Sequence, residues 1–202
     1  EIDRYCREKG ILWFASPWDE GSVDFLEQFN VPCHKIASAS LTDDGLLRHI
    51  RGKGRPIILS TGMSDLPMIG HAMQVLERRK DLILLHCTSV YPKVSMTVNN
   101  LSFVNLKVLD KLKSIFSVPI GFSSHFSGIM PVLYAAARGA CMVEFHITLD
   151  RALWGSDQAS SLEPQEFKNL CRLIREFEIA QGDGVKIIYP AEMEAMKKLR
   201  RK

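Results

Sequence analysis

Two histidines in this sequence stand where chemistry could take place, because each belongs to a short apolar run that ends in polar residues. His125 closes the run 121–125, and His146 lies about 20 residues later, in the run 144–150. A segment with helical character separates the two runs. If the runs are neighbouring parallel strands, their ends meet at one edge of a sheet and the two imidazoles lie side by side. Imidazole is a common ligand of divalent metals, so this pattern indicates half of a metal site.

The elements that must position these histidines are predicted to be alternating strands and helices. Six runs rich in apolar or β-branched residues predict strands, at 11–16, 35–38, 56–61, 82–88, 118–123 and 142–148. Amphipathic segments predict helices, at 22–29, 43–50, 66–79, 106–116, 129–138 and 164–181. Because the strands are continuously apolar rather than alternating, we expect a parallel sheet that is covered by helices.

The C-terminal ends of the predicted strands help to choose between two architectures. Every strand ends in polar or small residues, for example in 60–63 and in 123–125. An open doubly wound sheet needs such residues only near its switch point, whereas a (β/α)8 barrel gathers all its strand ends around one site. We therefore favour an α/β fold of the (β/α)8 TIM-barrel type, incomplete here because about six βα units are found.

Composition and charge limit the classes of function. The 202 residues suit one domain, and 46% hydrophobic with 24% charged residues is an ordinary soluble composition. A net charge of +3 is too small to argue for nucleic acid, and the basic run 197–202 is typical of a solvated tail. No apolar run approaches the length of a membrane span. Five cysteines without a C-x-x-C pair predict reduced, mostly buried thiols and a cytoplasmic protein.

Six strings, in order on successive predicted strands, resemble those of the sialic acid synthase family, which makes N-acetylneuraminate and related nonulosonates. They are Phe14-Ala-Ser-Pro-Trp-Asp19, Lys35-Ile-Ala-Ser38, Ile57-Ile-Leu-Ser-Thr-Gly-Met63, Leu85-His-Cys-Thr-Ser-Val-Tyr-Pro92, Gly121-Phe-Ser-Ser-His125 and Glu144-Phe-His-Ile-Thr-Leu-Asp-Arg151. The family fold is a (β/α)8 barrel followed by a small antifreeze-like domain. The resemblance therefore implies that residues 1–185 hold strands three to eight, and that 186–202 form a basic linker toward a C-terminal domain absent from this sequence.

The same resemblance implies an activity and a cofactor. The family condenses phosphoenolpyruvate with an open-chain N-acylated amino sugar, such as N-acetylmannosamine, and releases phosphate; it is a C–C bond-forming transferase. By resemblance, His125 and His146 are the protein ligands of Mn²⁺ or Mg²⁺. Phosphoenolpyruvate would be bound by one lysine and a ring of hydroxyls, namely Lys35, Ser16, Ser38, Ser60, Ser89 and Ser123. Hydroxyl donors and a lysine point charge suit phosphate and carboxylate oxygens.

Three further residues are candidates for contact with the sugar or for proton transfer. Asp157, in the loop after the last strand, could hold sugar hydroxyls, and Tyr91 could contact the sugar as well. Glu144 could support the metal or transfer a proton, and the sequence does not choose between these roles. Arg151 could pair with a substrate carboxylate or with Asp150. The resemblance also implies a homodimer for the full-length protein, with neither nucleic acid nor membrane as a partner.

The chain departs from the family pattern on the sugar side more than on the phosphoenolpyruvate side. The family usually has Asp and Thr around the first histidine, where this chain has Ser124 and Phe126. The family usually has a basic residue at the position where this chain has Phe145. It also commonly has an acidic residue near the position where this chain has Ser40. Two alternatives therefore stand beside the synthase hypothesis: another phosphoenolpyruvate-dependent sugar-acid synthase, and a catalytically weak homologue or fragment with a structural or binding role.

Overall fold

A computed structural model describes residues 1–77, 80–90 and 98–201, with the side chains of 98–100 left out. One parallel sheet runs through it, made of β1 (His34–Ile36), β2 (Ile57–Ser60), β3 (Leu82–Cys87), β4 (Ile120–Ser124) and β5 (Val143–Phe145). The spatial order of the strands equals their order along the chain, and each pairs in parallel with the next. This order is that of an arc of a barrel, because each βα unit adds its strand beside the previous one.

Helices connect and cover these strands. They are α1 (Ile2–Lys9), α2 (Glu20–Glu27), α3 (Asp44–Gly52), α4 (Leu66–Val75), α5 (Lys107–Ile115), α6 (Met130–Ala137), α7 (Pro164–Gln181) and α8 (Met193–Leu199). An aspartate caps the start of three of them: the side chains of Asp19, Asp43 and Asp65 each accept a hydrogen bond from a backbone N–H three residues on. In the part of the chain described, no helix has the length and apolar character needed to cross a membrane.

The segment 11–16 is a correction to the sequence prediction. It was expected to be a strand, which would give six, but the described residues form five strands. The segment is tied to β1 by the backbone hydrogen bond from Lys35 N to Ala15 O at 3.3 Å. Ile11 and Leu12 are exposed, so the apolar run that suggested a strand has no layer to pack against. An apolar run alone therefore does not make a strand, since the ladder depends on its neighbours.

The two faces of the sheet carry different cores. The outer face packs under the helices through Ile36, Leu59, Leu84 and Phe122. The inner face carries a smaller apolar cluster, formed by Cys33, Ile58 and Leu85 with Ile83 and Met142 beside them. A Cβ at Gly121 would lie 2.5 Å from Leu85 Cδ2 and 2.6 Å from the Met142 carbonyl oxygen. Glycine is therefore needed in β4 at this position, because any side chain there would clash with Leu85 of β3 and with the backbone of Met142.

The cysteines differ from the expectation of mostly buried thiols. All five are free, but only Cys33 and Cys87 are buried; Cys6 is half-buried, and Cys141 and Cys171 are exposed. The apolar neighbours that suggested burial do not enclose the last two, because one lies in the turn before β5 and the other on the solvent side of α7. Within the expected linker 186–202, residues 193–199 form α8, and the side chains of this helix are largely exposed.

Candidate functional site

A cavity of about 400 Å³ lies at the C-terminal ends of the strands. Parallel strands that point the same way bring these ends together, so residues far apart in sequence share one space. Its walls are Ser16, Trp18, Lys35, Ala37, Ser38, Ala39, Ser60, Met63, Ser89, Ser123, His125, Glu144, Phe145 and His146. All six residues expected to bind phosphoenolpyruvate lie in this wall, together with both histidines and Glu144. Asp157 lies beside His146, and Tyr91 falls outside the described residues.

A buried lysine joins the two outer strands of the sheet. Lys35 is only 6% exposed, and its Nζ donates to Ser60 Oγ at 2.8 Å. The same nitrogen lies 3.4 Å from Glu144 Oε2, and the Ser60 hydroxyl lies 3.5 Å from that oxygen. A buried ammonium is costly unless it is paired, so the carboxylate of β5 compensates the cation of β1. An anionic ligand at this place would meet the Lys35 ammonium and the Ser60 hydroxyl, which hold each other in position through their hydrogen bond.

Two serine hydroxyls are packed around a glycine that follows β2. The backbone N–H of Gly62 donates to Ser38 Oγ at 2.9 Å. A Cβ on Gly62 would lie 2.1 Å from Ser89 Oγ and 2.8 Å from Ser38 Oγ, closer than atoms can approach. Ser89 Oγ is buried and has no hydrogen-bond partner among the described residues. Buried hydroxyls are normally satisfied, so this one has hydrogen-bonding capacity left for a ligand.

The two histidines stand next to each other, as the parallel-strand argument predicted. The strands β4 and β5 are paired, and the ring centroids of His125 and His146 are 5.2 Å apart. His146 Nδ1 lies 3.6 Å from Asp157 Oδ2. The loop that carries Asp157 is held locally, because its carbonyl oxygen accepts a hydrogen bond from Ser161 Oγ at 2.8 Å. A carboxylate thus lies close to one imidazole of the pair.

The electrostatic surroundings favour neutral imidazoles. Burial lowers the pKa of His125, opposed by a hydrogen bond to the Thr88 backbone and by nearby carboxylates. Burial also lowers the pKa of His146, opposed by the charge of Asp157. A neutral imidazole keeps a lone pair for a metal ion. Over the described ranges, no group of three or more His, Cys, Asp or Glu side chains forms a ready chelate. Two imidazoles are thus the nitrogen donors that this part of the wall offers to a metal ion.

Three residues of the site were missed by the sequence reasoning, although each lies inside one of the family-like strings. Cys87 Sγ is 3.5 Å from His125 Nδ1, and burial raises the pKa of this thiol. Trp18 and Met63 form an apolar part of the wall and are 64% and 68% exposed. Met63 also has a φ of 59°, which is strained for a residue with a side chain. Strain of this kind concentrates at binding sites, and a sequence does not reveal it.

Among the described residues, Arg151 pairs with a carboxylate other than Asp150. Its guanidinium pairs with Glu166 and donates from Nε to the Ser161 carbonyl at 2.9 Å. Its backbone N–H donates to Glu163 Oε1 at 3.1 Å. The residue clamps the loop after β5 onto the first turn of α7, and it makes no ion pair with Asp150. It holds the loop that carries Asp157 through Ser161, whose hydroxyl donates to the Asp157 carbonyl.

The departures from the family pattern have local structural explanations. Ser124 Oγ accepts a hydrogen bond from the backbone N–H of Phe126 at 3.2 Å, and the Phe126 ring is buried in the outer core. Phe145 packs against Phe167 of α7, with ring centroids 5.9 Å apart. Apolar packing therefore replaces polar groups on both sides of the histidine pair.

Comparisons with known proteins agree with this geometry. The model of the NeuB family matches residues 1–186. An uncharacterized protein of Methanocaldococcus jannaschii is 42% identical over 100% of this chain and 58% of its own length. The N,N'-diacetyllegionaminic acid synthase of Campylobacter jejuni is 40% identical over 92% of this chain and 55% of its own length. The chain thus spans a little more than half the length of these curated relatives.

The fold agrees as well. The crystal structure of an N-acetylneuraminic acid synthetase from Leptospira borgpetersenii, in complex with citrate, superposes with a TM-score of 0.84 at 34% identity. The match covers 100% of this chain and 70% of that one. The resemblance to sialic acid synthases is confirmed, and the sheet is a half-barrel of the same kind. On its residues, its relatives and its fold, the chain belongs to the NeuB family.

Proposed function

We propose that the full-length protein condenses phosphoenolpyruvate with an N-acylated amino sugar, N-acetylmannosamine or a close relative of it, to give a sialic-acid-type nonulosonate and phosphate. The observation that carries the proposal is one cavity holding a buried lysine with hydroxyls at one side and a pair of adjacent imidazoles at the other. Relatives named as legionaminic acid and sialic acid synthases support the reaction class. The protein is then a C–C bond-forming transferase.

The lysine side of the cavity binds phosphoenolpyruvate. Lys35 supplies the positive charge, and its ammonium already donates a hydrogen bond to the Ser60 hydroxyl. Ser38 and Ser89 add hydroxyls, of which the second has no other partner in the described structure. Ser16 and Ser123 complete the ring. Charge-assisted hydrogen bonds of this kind are roughly twice as strong as neutral ones, so a phosphate or carboxylate is favoured over a neutral ligand.

The histidine side holds the divalent ion, Mn²⁺ or Mg²⁺. His125 and His146 are its protein ligands, and Asp157 orients the second of them from 3.6 Å. When bound, such an ion is a Lewis acid that polarises the carbonyl oxygen of the open-chain sugar. Burial lowers the pKa of both imidazoles, which favours the unprotonated form that a metal ion binds.

Glu144 is the proton-transfer group that the geometry favours. Its carboxylate lies within 3.5 Å of both Lys35 and Ser60, and its strand also carries His146. In the reaction, the terminal CH2 carbon of phosphoenolpyruvate forms a bond to the aldehyde carbon of the sugar, whose oxygen takes up a proton and becomes a hydroxyl. Water then loses a proton and adds to the neighbouring carbon, the one that bears the phosphate oxygen. The C–O bond to phosphate breaks, the new hydroxyl proton leaves with the phosphate, and a ketone remains. Asp157 and Tyr91 contact sugar hydroxyls in this proposal, the tyrosine on the strength of its sequence motif alone.

The alternative of a sugar-acid phosphate synthase has less support. Such an enzyme acts on a phosphorylated aldose and needs a second, arginine-rich anion site. Among the described residues that line the cavity, the cationic side chain is Lys35 and none is an arginine. The chemistry of the wall therefore fits one anionic substrate and one neutral sugar.

The test is phosphate release by the full-length protein from phosphoenolpyruvate and N-acetylmannosamine with added Mn²⁺. We expect turnover that is abolished by chelation and lost in His125→Ala. His71→Ala is the matched control, because this exposed histidine pairs with Asp44 on the helical surface, away from the cavity. No phosphate release with any N-acylated amino sugar would refute the proposal. Full turnover in His125→Ala would refute the metal assignment.

A further inference from the structure

The thiol of Cys87 lies against His125 of the cavity wall, in a contact that the proposed reaction does not explain. The residue is 4% exposed and ends β3 on the inner face of the sheet. It stands opposite Ser123 in the register of β3 and β4. Its Sγ lies 3.5 Å from His125 Nδ1. The hydroxyls of Ser123 and Ser38 act on the same thiol, since they lower its pKa against the effect of burial. One thiol thus lies between the hydroxyl ring and the first histidine of the pair.

The neighbour of Cys87 acts on the same ring. The backbone of Thr88 makes a hydrogen bond with His125. Two successive residues at the end of β3 therefore hold an imidazole that belongs to β4. The orientation of a metal-binding imidazole is normally fixed by such outer contacts, and their loss typically weakens metal binding by 10- to 100-fold. At His125 one such contact comes from the sulfur of Cys87.

We infer that Cys87 is a positioning residue, whose thiol fixes the ring of His125 against His146 and links it to the hydroxyls of Ser38 and Ser123. This inference rests on the proposed function, since it assigns a role toward the divalent ion. It explains how the histidine keeps its orientation in a chain that has Ser124, not an acid, next to it. The thiol is the polar group that takes over the orienting role.

A second buried thiol gives a matched control. Cys33 is 8% exposed and lies on the same inner face, in the apolar cluster with Ile58 and Leu85. Replacing either cysteine by alanine removes one sulfur from the inner layer. Only the change at Cys87 removes a contact to a proposed metal ligand. Any general effect of losing a buried thiol appears in both variants, and the specific effect appears in one.

The experiment is Mn²⁺ binding to the metal-free full-length protein, measured by calorimetry together with thermal unfolding. We expect Cys87→Ala to weaken Mn²⁺ binding about 10-fold and Cys33→Ala to leave it unchanged. Two more variants separate hydrogen bonding from volume. Cys87→Ser keeps a polar group and should retain binding within about 3-fold, whereas Cys87→Val refills the volume without a donor and should be as weak as the alanine variant.

The outcomes are distinct. Wild-type affinity in both Cys87→Ala and Cys87→Val overturns the inference and leaves the proposed function standing. Tight binding by the valine variant with weak binding by the serine variant also overturns it, because packing would then be the cause. Absence of Mn²⁺ binding by the wild-type protein refutes the metal assignment itself, and the inference falls with it. If the alanine variant does not fold, the serine and valine pair decides.

Discussion

Replacing Gly62 by alanine should damage phosphoenolpyruvate binding more than folding. The new Cβ would lie 2.1 Å from Ser89 Oγ, so this hydroxyl has to retreat by about 1.3 Å to reach the 3.4 Å of an ordinary contact. A serine side chain can do so by changing its rotamer. The strain is then that of modest overpacking, about 1–3 kcal/mol. The hydroxyl, however, leaves the ring that is expected to hold the anion.

The loss in affinity follows from what one such hydrogen bond contributes. A hydrogen bond to a charged group is worth about 1.5–3 kcal/mol, which corresponds to roughly a 10- to 150-fold rise in the Kd for phosphoenolpyruvate. Calorimetric titration with phosphoenolpyruvate measures this directly. Adding Ser89→Ala to the variant removes the closest clash, so it should restore part of the stability but not the affinity. That double-mutant comparison separates strain from lost ligand contact.

Gly70 provides the control for this substitution. It lies within α4, and an added Cβ there meets nothing within 4 Å. Gly70→Ala should therefore leave ligand binding unchanged and stabilise the helix by about 0.5–1 kcal/mol. If Gly62→Ala binds phosphoenolpyruvate within about twofold of wild type, a difference of only ~0.4 kcal/mol, Ser89 and Ser38 do not form the anion site and the reasoning is wrong.

Three further predictions concern the loop, the core and the mouth of the cavity. Arg151→Ala should lower the free energy of unfolding by about 1–2 kcal/mol, because it breaks the ion pair with Glu166. Arg172→Ala, on the exposed side of α7, should change that free energy by less than about 0.5 kcal/mol. Urea titration of both variants measures the difference. Burial lowers the pKa of His86 below 6.5, so the unfolded chain binds the proton more readily. Stability should be level above about pH 6.5 and fall as the pH drops below it, with a shallower fall in His86→Gln; an unchanged slope would contradict this assignment. Trp18→Ala should raise the KM for the amino sugar about 10-fold, because the indole lies on the exposed apolar wall of the cavity. The KM for phosphoenolpyruvate should stay unaltered. Equal effects on both KM values would contradict the assignment of this indole to the sugar side.

The sequence predicts the sheet well because strand periodicity and polar strand ends are local signals. The runs that became β1 to β5 were all recognised, and α7 begins and ends where its proline and apolar spacing indicated. The segment 11–16 was misread, because whether an apolar run becomes a strand depends on partners that lie far away in sequence. The same limit applies to Cys171, whose exposure is set by the side of α7 on which it falls.

The sequence identifies candidate site residues where the side-chain type itself indicates a chemical role. Histidines, a lysine in an apolar strand and strand-end serines stand out by type, and the structure gathers them in one cavity. The contacts of Arg151 could not be foreseen, since a guanidinium pairs with whatever carboxylate the fold presents. Cys87 looked like an ordinary buried thiol, because its meaning depends on the distance to His125. The metal-binding role of the histidines and the substrate-binding roles of the lysine and the serines stay predictions until the binding experiments are done.

The difference in burial across the cavity wall predicts an order of substrate binding. Lys35 and Ser60 are almost fully buried, whereas Trp18 and Met63 at the opposite extreme are more than 60% exposed. A ligand on the lysine must pass the apolar rim on its way in, and a sugar resting on that rim would block the passage. The anionic substrate should therefore enter first and the sugar second. Steady-state inhibition patterns should then be those of a compulsory sequence rather than of random addition.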